Sequence, residues 1–127
     1  MITGIKMAKK ILIVDDASLI RNVAHKAAIE AGYETVLAND GQEGLEALSK
    51  GGVDLIFSDI NMPIMNGLEM VEKIREQDEY KYIPIIMLTT ESKAELKEKA
   101  QALGVKAWLL KPFNKDKFLL VLSKLLG

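Results

Sequence analysis

The sequence contains no cysteine, which excludes disulfides and thiolate metal sites and favours a reducing compartment. It has a single histidine and a net charge of only −1 over 127 residues. That balance gives no global basic field for nucleic acid. No window approaches the roughly 20 apolar residues of a membrane span. Residues Met1 to Lys10 hold no apolar stretch of signal-peptide length. These absences set the expectation of a cytoplasmic chain with no membrane or nucleic-acid partner. Met7 is a second candidate start, and residues 1–8 are expected to form an extension ahead of one domain over 9–127.

What is present is an ordinary globular composition, 49% apolar and 28% charged. A chain of this size buries about two-thirds of its unfolded surface, enough for a real core. Five short apolar runs, Ile11–Val14, Glu34–Ala38, Asp54–Ser58, Ile83–Leu88 and Val105–Leu110, alternate with helical stretches. Three are apolar almost throughout, as strands buried on both faces of a parallel sheet should be. Glu34–Ala38 is less apolar and reads as an edge strand.

The segments between carry helix signals. Ala17–Ala31 places Ile20, Val23, Ala27 and Ala31 on one stripe and ends at Gly32. Asp40 with Glu43 is a capping pair for Gly41–Lys50, which Gly51-Gly52 terminates. Leu68, Val71 and Ile74 give the third helix an apolar face. Ser92 with Glu95 is a capping pair for the fourth, closed by Gly104. Phe118, Val121, Leu122 and Leu125 form the buried stripe of the fifth. The fourth helix is the weak one, with Lys93, Glu95, Lys97, Glu98 and Lys99 covering most of it. It is either a solvated face with a Glu95–Lys99 pair or a poorly anchored element able to shift.

Five β-α units imply an α/β fold, a doubly wound (βα)5 open parallel sheet of flavodoxin-like type with expected strand order 2-1-3-4-5. Ligands bind such sheets beyond the carboxyl ends of the strands, near the first and third. Those strands end in Asp15-Asp16 and in Asp59, and the fifth ends in Lys111. Three carboxylates so close repel one another, and a hard divalent cation such as Mg²⁺ resolves the repulsion. A carboxylate there can serve as nucleophile toward phosphorus, with Lys111 neutralising a phosphoryl oxygen. Thr89, at the end of the fourth strand, offers a hydroxyl to the same group. Taken singly, each residue has a structural reading as a cap, a turn residue or a surface lysine. Four of them at strand ends, with matching chemistry, are unlike independent accidents.

The ordered motifs Ile13-Val14-Asp15-Asp16, Asp59-Ile60-Asn61-Met62-Pro63, Met65-Asn66-Gly67-Leu68-Glu69, Leu88-Thr89-Thr90 and Lys111-Pro112-Phe113 resemble the receiver domain of two-component response regulators. The match spans Lys9 to the C-terminus. The strand order above is also that family's, so the two expectations are not independent. The resemblance implies that Asp59 is the phosphoacceptor, with Asp16 a direct Mg²⁺ ligand and Asp15 a ligand through water. Asn61 would give its backbone carbonyl to the metal, while Thr89 and Lys111 would contact phosphoryl oxygens. The Lys111-Pro112 bond is implied to be cis. Thr89 and Trp108 are implied to form the switch, Trp108 standing where many members have Tyr or Phe. Asn61 and Glu91 occupy positions that tune the lifetime of the phosphorylated form. Thr90 replaces the small residue often found after the switch threonine and is expected to restrict access.

The polar pair Asn61 and Glu91 and the run Met87–Ser92 are similar to stand-alone, CheY-like chemotaxis receivers. Expected partners are a CheA-like sensor histidine kinase, a downstream protein such as a flagellar switch component or another chemosensory effector, and a phosphatase. With no effector domain after Gly127, the fourth helix, fifth strand and fifth helix are expected to present the output surface of a monomer. The chain would be no enzyme beyond catalysing its own phosphorylation and dephosphorylation. A phosphorelay intermediate or phosphate sink is the alternative. A haloacid-dehalogenase-type phosphatase fits less well, because it needs an Asp where Asn61 stands. A flavodoxin-like FMN carrier would want a hydroxyl- and glycine-rich loop where Asp15-Asp16 stands. The complete acidic set argues against a degenerate receiver scaffold. His25 receives no role.

Overall fold

The structure, a computed structural model, describes residues 8–126. The extension expected over residues 1–8 lies outside the described residues apart from Ala8. Five strands, β1 Lys10–Val14, β2 Glu34–Ala38, β3 Leu55–Ser58, β4 Ile85–Thr89 and β5 Ala107–Leu110, alternate with five helices. These are α1 Ser18–Glu30, α2 Gly41–Ser49, α3 Gly67–Arg75, α4 Ala94–Ala102 and α5 Lys115–Leu126. A short 3-10 turn, Asp78–Tyr80, precedes β4. All strand pairs are parallel, in the order β2-β1-β3-β4-β5. The expected sheet is therefore the one formed, and Glu34–Ala38 is an edge strand.

Alternation along the central strands divides the core in two. Leu12, Val14, Ile56, Ile85 and Met87 face one layer with Leu68, Met70, Val71 and Ile74 of α3. Ile11, Ile13, Leu55, Phe57, Ile86 and Leu88 face the other with Ala24, Ala27 and Ala28 of α1 and Phe118 and Leu122 of α5. Rings of Phe57, Phe113 and Phe118 pack edge-on or tilted against one another on this second side, with centroids 4.6–6.2 Å apart. The central strands are buried on both faces because helices cover both, which accounts for their continuous apolar runs.

Two details depart from the expected pattern. The buried face of α1 centres on Ala24, Ala27 and Ala28, whereas Val23 is 42% exposed and Ala31 is also exposed. Small alanines let the helix lie close to the sheet, so the stripe turns away from the larger side chains. Ser92 does not cap α4. The helix starts later, after Lys93, with no side-chain cap. The capping of α2 does hold, since Asp40 accepts from the Glu43 amide at 2.9 Å. The Glu43 carboxylate accepts from the Asn39 amide instead of completing a reciprocal box.

Helix α4 is the least anchored element. Only Ala100 among its residues is buried. Its C-terminal end is held by Arg75 of α3. The Arg75 guanidinium donates to the carbonyls of Leu103 (2.7 Å), Ile83 (2.9 Å), Tyr80 (3.1 Å), Lys81 (3.1 Å) and Gly104 (3.3 Å). One planar fork thus satisfies carbonyls from the end of α4 and from the approach to β4. Arg75→Ala is expected to lower stability by about 2 kcal/mol in urea unfolding. Arg75→Lys should restore only part of this, because one ammonium cannot span both segments. Full rescue by lysine would show that charge alone matters.

Candidate functional site

The register of β1 and β3 builds the site. Val14 pairs with Ser58, so the next residues, Asp15 and Asp59, emerge side by side at the carboxyl edge. The backbone locks this alignment: the Asp59 amide donates to Val14 O (2.9 Å) and the Asp15 amide to Ala38 O (3.1 Å). Ser58, fully buried, donates its hydroxyl to Asp59 O at 2.7 Å. Arg21 donates to the Asp15 carbonyl at 2.6 Å.

Oxygens of Asp15, Asp16 and Asp59 lie within 4.8 Å of one another. Asp15 and Asp59 are buried and Asp16 is exposed. Lys111, beyond the end of β5, reaches back to Asp59 Oδ2 at 3.0 Å and to Asp15 Oδ2 at 3.8 Å. Asp59 Oδ1 accepts from the Ile60 amide at 2.7 Å, and Asp15 Oδ1 from the Ala17 amide at 2.9 Å. The Lys111-Pro112 peptide is cis. The donor set is made entirely of hard oxygens with more negative charge than one lysine balances, which suits a cation such as Mg²⁺. Burial pushes the Asp15 carboxyl above its ordinary value of 3.8; the charges of Asp59 and Asp16 add to the rise, against the Ala17 amide and Lys111.

Thr89, Glu91 and Trp108 connect to Lys111 through a chain of hydrogen bonds. Thr89 is fully buried at the end of β4, its hydroxyl accepting from the Glu91 amide at 3.1 Å. The Lys111 amide donates to Thr89 O at 2.9 Å, joining the ends of β4 and β5. Half-buried Trp108 donates its indole N–H to Glu91 O at 3.1 Å. Glu91 is thereby gripped from both sides. Thr90 is exposed, as is Asn61 in the loop after β3. His25 lies away from the cluster on α1, its Nδ1 2.6 Å from the Thr35 hydroxyl.

Sequence reasoning missed the architecture of the β3–α3 loop. Gly67 carries no side chain because an ideal Cβ there would sit 2.1 Å from Asp59 O. Its amide donates to Ile60 O at 2.8 Å and closes the loop. Asn66 and Glu69 form a reciprocal capping box for α3. Ile64 has φ +68°, an unusual conformation for a β-branched residue, and is 83% exposed. The Met65 amide donates to Pro63 O across it at 2.7 Å, a tight three-residue turn. Backbone of this kind costs on the order of 1–3 kcal/mol and persists only where its surroundings over-determine it. The Asn66-Gly67-x-Glu69 pattern was a readable signal for the box; nothing in an isoleucine announces a left-handed turn.

Residues 11–123 match the family model of the response regulator receiver domain. The chain belongs to that family. This receiver is 39% identical over 106 residues to chemotaxis protein CheY-3 of Vibrio cholerae, covering 83% of this chain and 82% of that protein. It is 41% identical over 110 residues to CheY1 of Helicobacter pylori, covering 83% and 86%. Among solved structures, CheY4 of V. cholerae superposes on the receiver with TM-score 0.88 at 44% identity, over 94% of this chain and 99% of that one. A CheX–CheY complex with BeF3 and Mg²⁺ from Borrelia burgdorferi gives 0.86 at 27% identity, over 93% and 90%. No helix among the described residues is long and apolar enough to cross a membrane.

The raised Asp15 value makes a pH prediction. The folded state holds its proton more tightly than the unfolded chain. Stability is therefore lost as pH rises from the ordinary carboxylate value through the raised one, and the penalty is complete above it. With divalent ions chelated, Asp15→Asn should raise the thermal midpoint at neutral pH. The gain should shrink as pH falls toward 3.8. A gain independent of pH would contradict the electrostatic origin.

Proposed function

We propose that this receiver accepts a phosphoryl group on Asp59 from a histidine kinase, in a Mg²⁺-dependent reaction, and signals by changing the surface formed by α4, β5 and α5. The observation that carries this reading is the single edge where Asp15, Asp16, Asp59 and Lys111 meet. Asp15, Asp16, Asp59 and the backbone carbonyl of Asn61 would hold the cation. Bound there, Mg²⁺ supplies charge neutralisation for the carboxylates and for an incoming phosphoryl oxygen.

The remaining chemistry belongs to the chain. The Asp59 carboxylate attacks phosphorus as the bond to the donor imidazole breaks, and that bond's electron pair returns to the imidazole. The product is an acyl phosphate on Asp59. The Ile60 amide, at 2.7 Å from Oδ1, orients the nucleophile. Lys111 moves its contact from Asp59 Oδ2 to a phosphoryl oxygen. Attack by water on the acyl phosphate would reverse the modification, with Asn61 and Glu91 beside the approach. The chain thus turns over only itself.

Existing hydrogen bonds support a switch through Thr89 and Trp108. As long as Thr89 accepts from the Glu91 amide, the start of the β4–α4 loop is pinned. Drawing the Thr89 hydroxyl toward a phosphoryl oxygen weakens that contact. The Glu91 carbonyl and the Trp108 indole then move together. Helix α4, uncapped at its N-terminus and poorly buried, offers little resistance. The chemotaxis names of the relatives support an output in a chemosensory pathway through a downstream protein, and the Borrelia complex supports a second protein contact.

Incubation with Mg²⁺ and acetyl phosphate should give one base-labile phosphoryl adduct, located at Asp59 by mass spectrometry, and Asp59→Asn should abolish it. Labelling that persists in the variant, or continuous turnover of phosphoesters, would overturn the assignment. Trp108 fluorescence should change on phosphorylation, and an unchanged spectrum at full labelling would remove Trp108 from the switch.

A further inference from the structure

The strained turn at Ile64 has no burial of its own to justify it. What it does is aim the next carbonyl. Because the chain reverses at Ile64, Met65 O meets the amide of Gly41, the first residue of α2, at 3.0 Å. The fit is close on both sides. A Cβ on Gly41 would lie 2.7 Å from Met65 O, 2.8 Å from Met65 Cγ and 3.0 Å from Met65 Cβ. The first of these is backbone and cannot swing aside. The loop from residue 61 to 66 is therefore fixed at three points. Its neck is closed from Gly67 to Ile60, its exit is capped by Asn66, and its tip is held on α2. Neck and exit are local to the loop. The Met65 carbonyl ties it by a backbone hydrogen bond to another element, beside the packing of Met62 and Met65 on the core, and Asp40 holds the receiving end by capping α2.

We infer that Gly41 is a positioning residue for the acidic site: its amide and missing side chain set the β3–α3 loop so that Asn61 presents its backbone carbonyl to the cation. The inference rests on the functional reading above. A hard ion with strict geometry gains from an oxygen already in place, since any reordering of the loop subtracts from binding. Gly41 touches neither ion nor phosphoryl group and acts only through Met65.

The test is titration of the metal-free protein with MgCl₂ by calorimetry. Gly41→Ala should weaken binding tenfold or more. Gly44→Ala is the control on the same helix, because its Cβ would meet buried Met70 Sδ at 2.7 Å and Val14 Cγ2 at 3.3 Å, and not the loop. It should stay within twofold of the parent, with both variants checked by circular dichroism. Equal affinity in Gly41→Ala, or equal weakening in Gly44→Ala, overturns the inference. If Gly41→Ala does not fold, exposed Ile64 asks the same question. Ile64→Asn, which tolerates the left-handed turn, should keep affinity, and Ile64→Pro, which forbids it, should lose it. Equal affinities there refute the lock. Parent protein that takes up no Mg²⁺ would remove the functional reading as well, whereas a binding parent with an equally binding Gly41→Ala removes this inference alone.

Discussion

Mutual repulsion of three carboxylates at one sheet edge is the constraint around which this molecule is organised. Hydrophobic burial of β1 and β3 forces Asp15 and Asp59 together, because their register leaves them no other place. One ammonium, from Lys111, relieves part of the repulsion. The amides of Ala17 and Ile60 relieve more, each donating to one carboxylate oxygen. The remainder is left at a point where water and ions have access through exposed Asp16. A fold selected only for stability would neutralise these groups; the core tolerates their cost because its two apolar layers are continuous on either side of the sheet.

Compliance is distributed unevenly around that edge. The β3–α3 loop is held by a closed neck, a capping box and a backbone contact to α2. The β4–α4 side is held by two single hydrogen bonds converging on Glu91. Helix α4 continues the contrast, fastened by Arg75 at its far end and uncapped at its near end. Stiffness thus lies where the proposed cation would need fixed oxygens, and softness where the proposed displacement would be passed on.

Most of the fold was legible because parallel strands buried on both faces leave an unbroken apolar signature, as in Ile11–Val14 and Leu55–Phe57. The cluster was legible because strand ends in such a sheet are predictable ligand positions. What failed did so for local reasons. Alanine packing turned α1 away from Val23, and α4 began beyond the serine expected to cap it. Loop geometry was the real gap. The positive φ of Ile64 and the tight approach of Gly41 to Met65 arise from contacts between distant segments, which periodicity does not encode.

The aromatic trio on the α1 and α5 side of the sheet has a consequence for how the proposed output surface would be read. Phe57 belongs to β3, which leads into Asp59, Phe113 to the turn after Lys111, and Phe118 to α5. Interlocked rings moor α5 to the central strand. On the proposed reading, a protein docking across α4, β5 and α5 would meet one wall moored by these rings beside another, α4, that has little burial. The signal would be a relative distance gauged against a built-in datum, insensitive to tumbling or drift of the whole body.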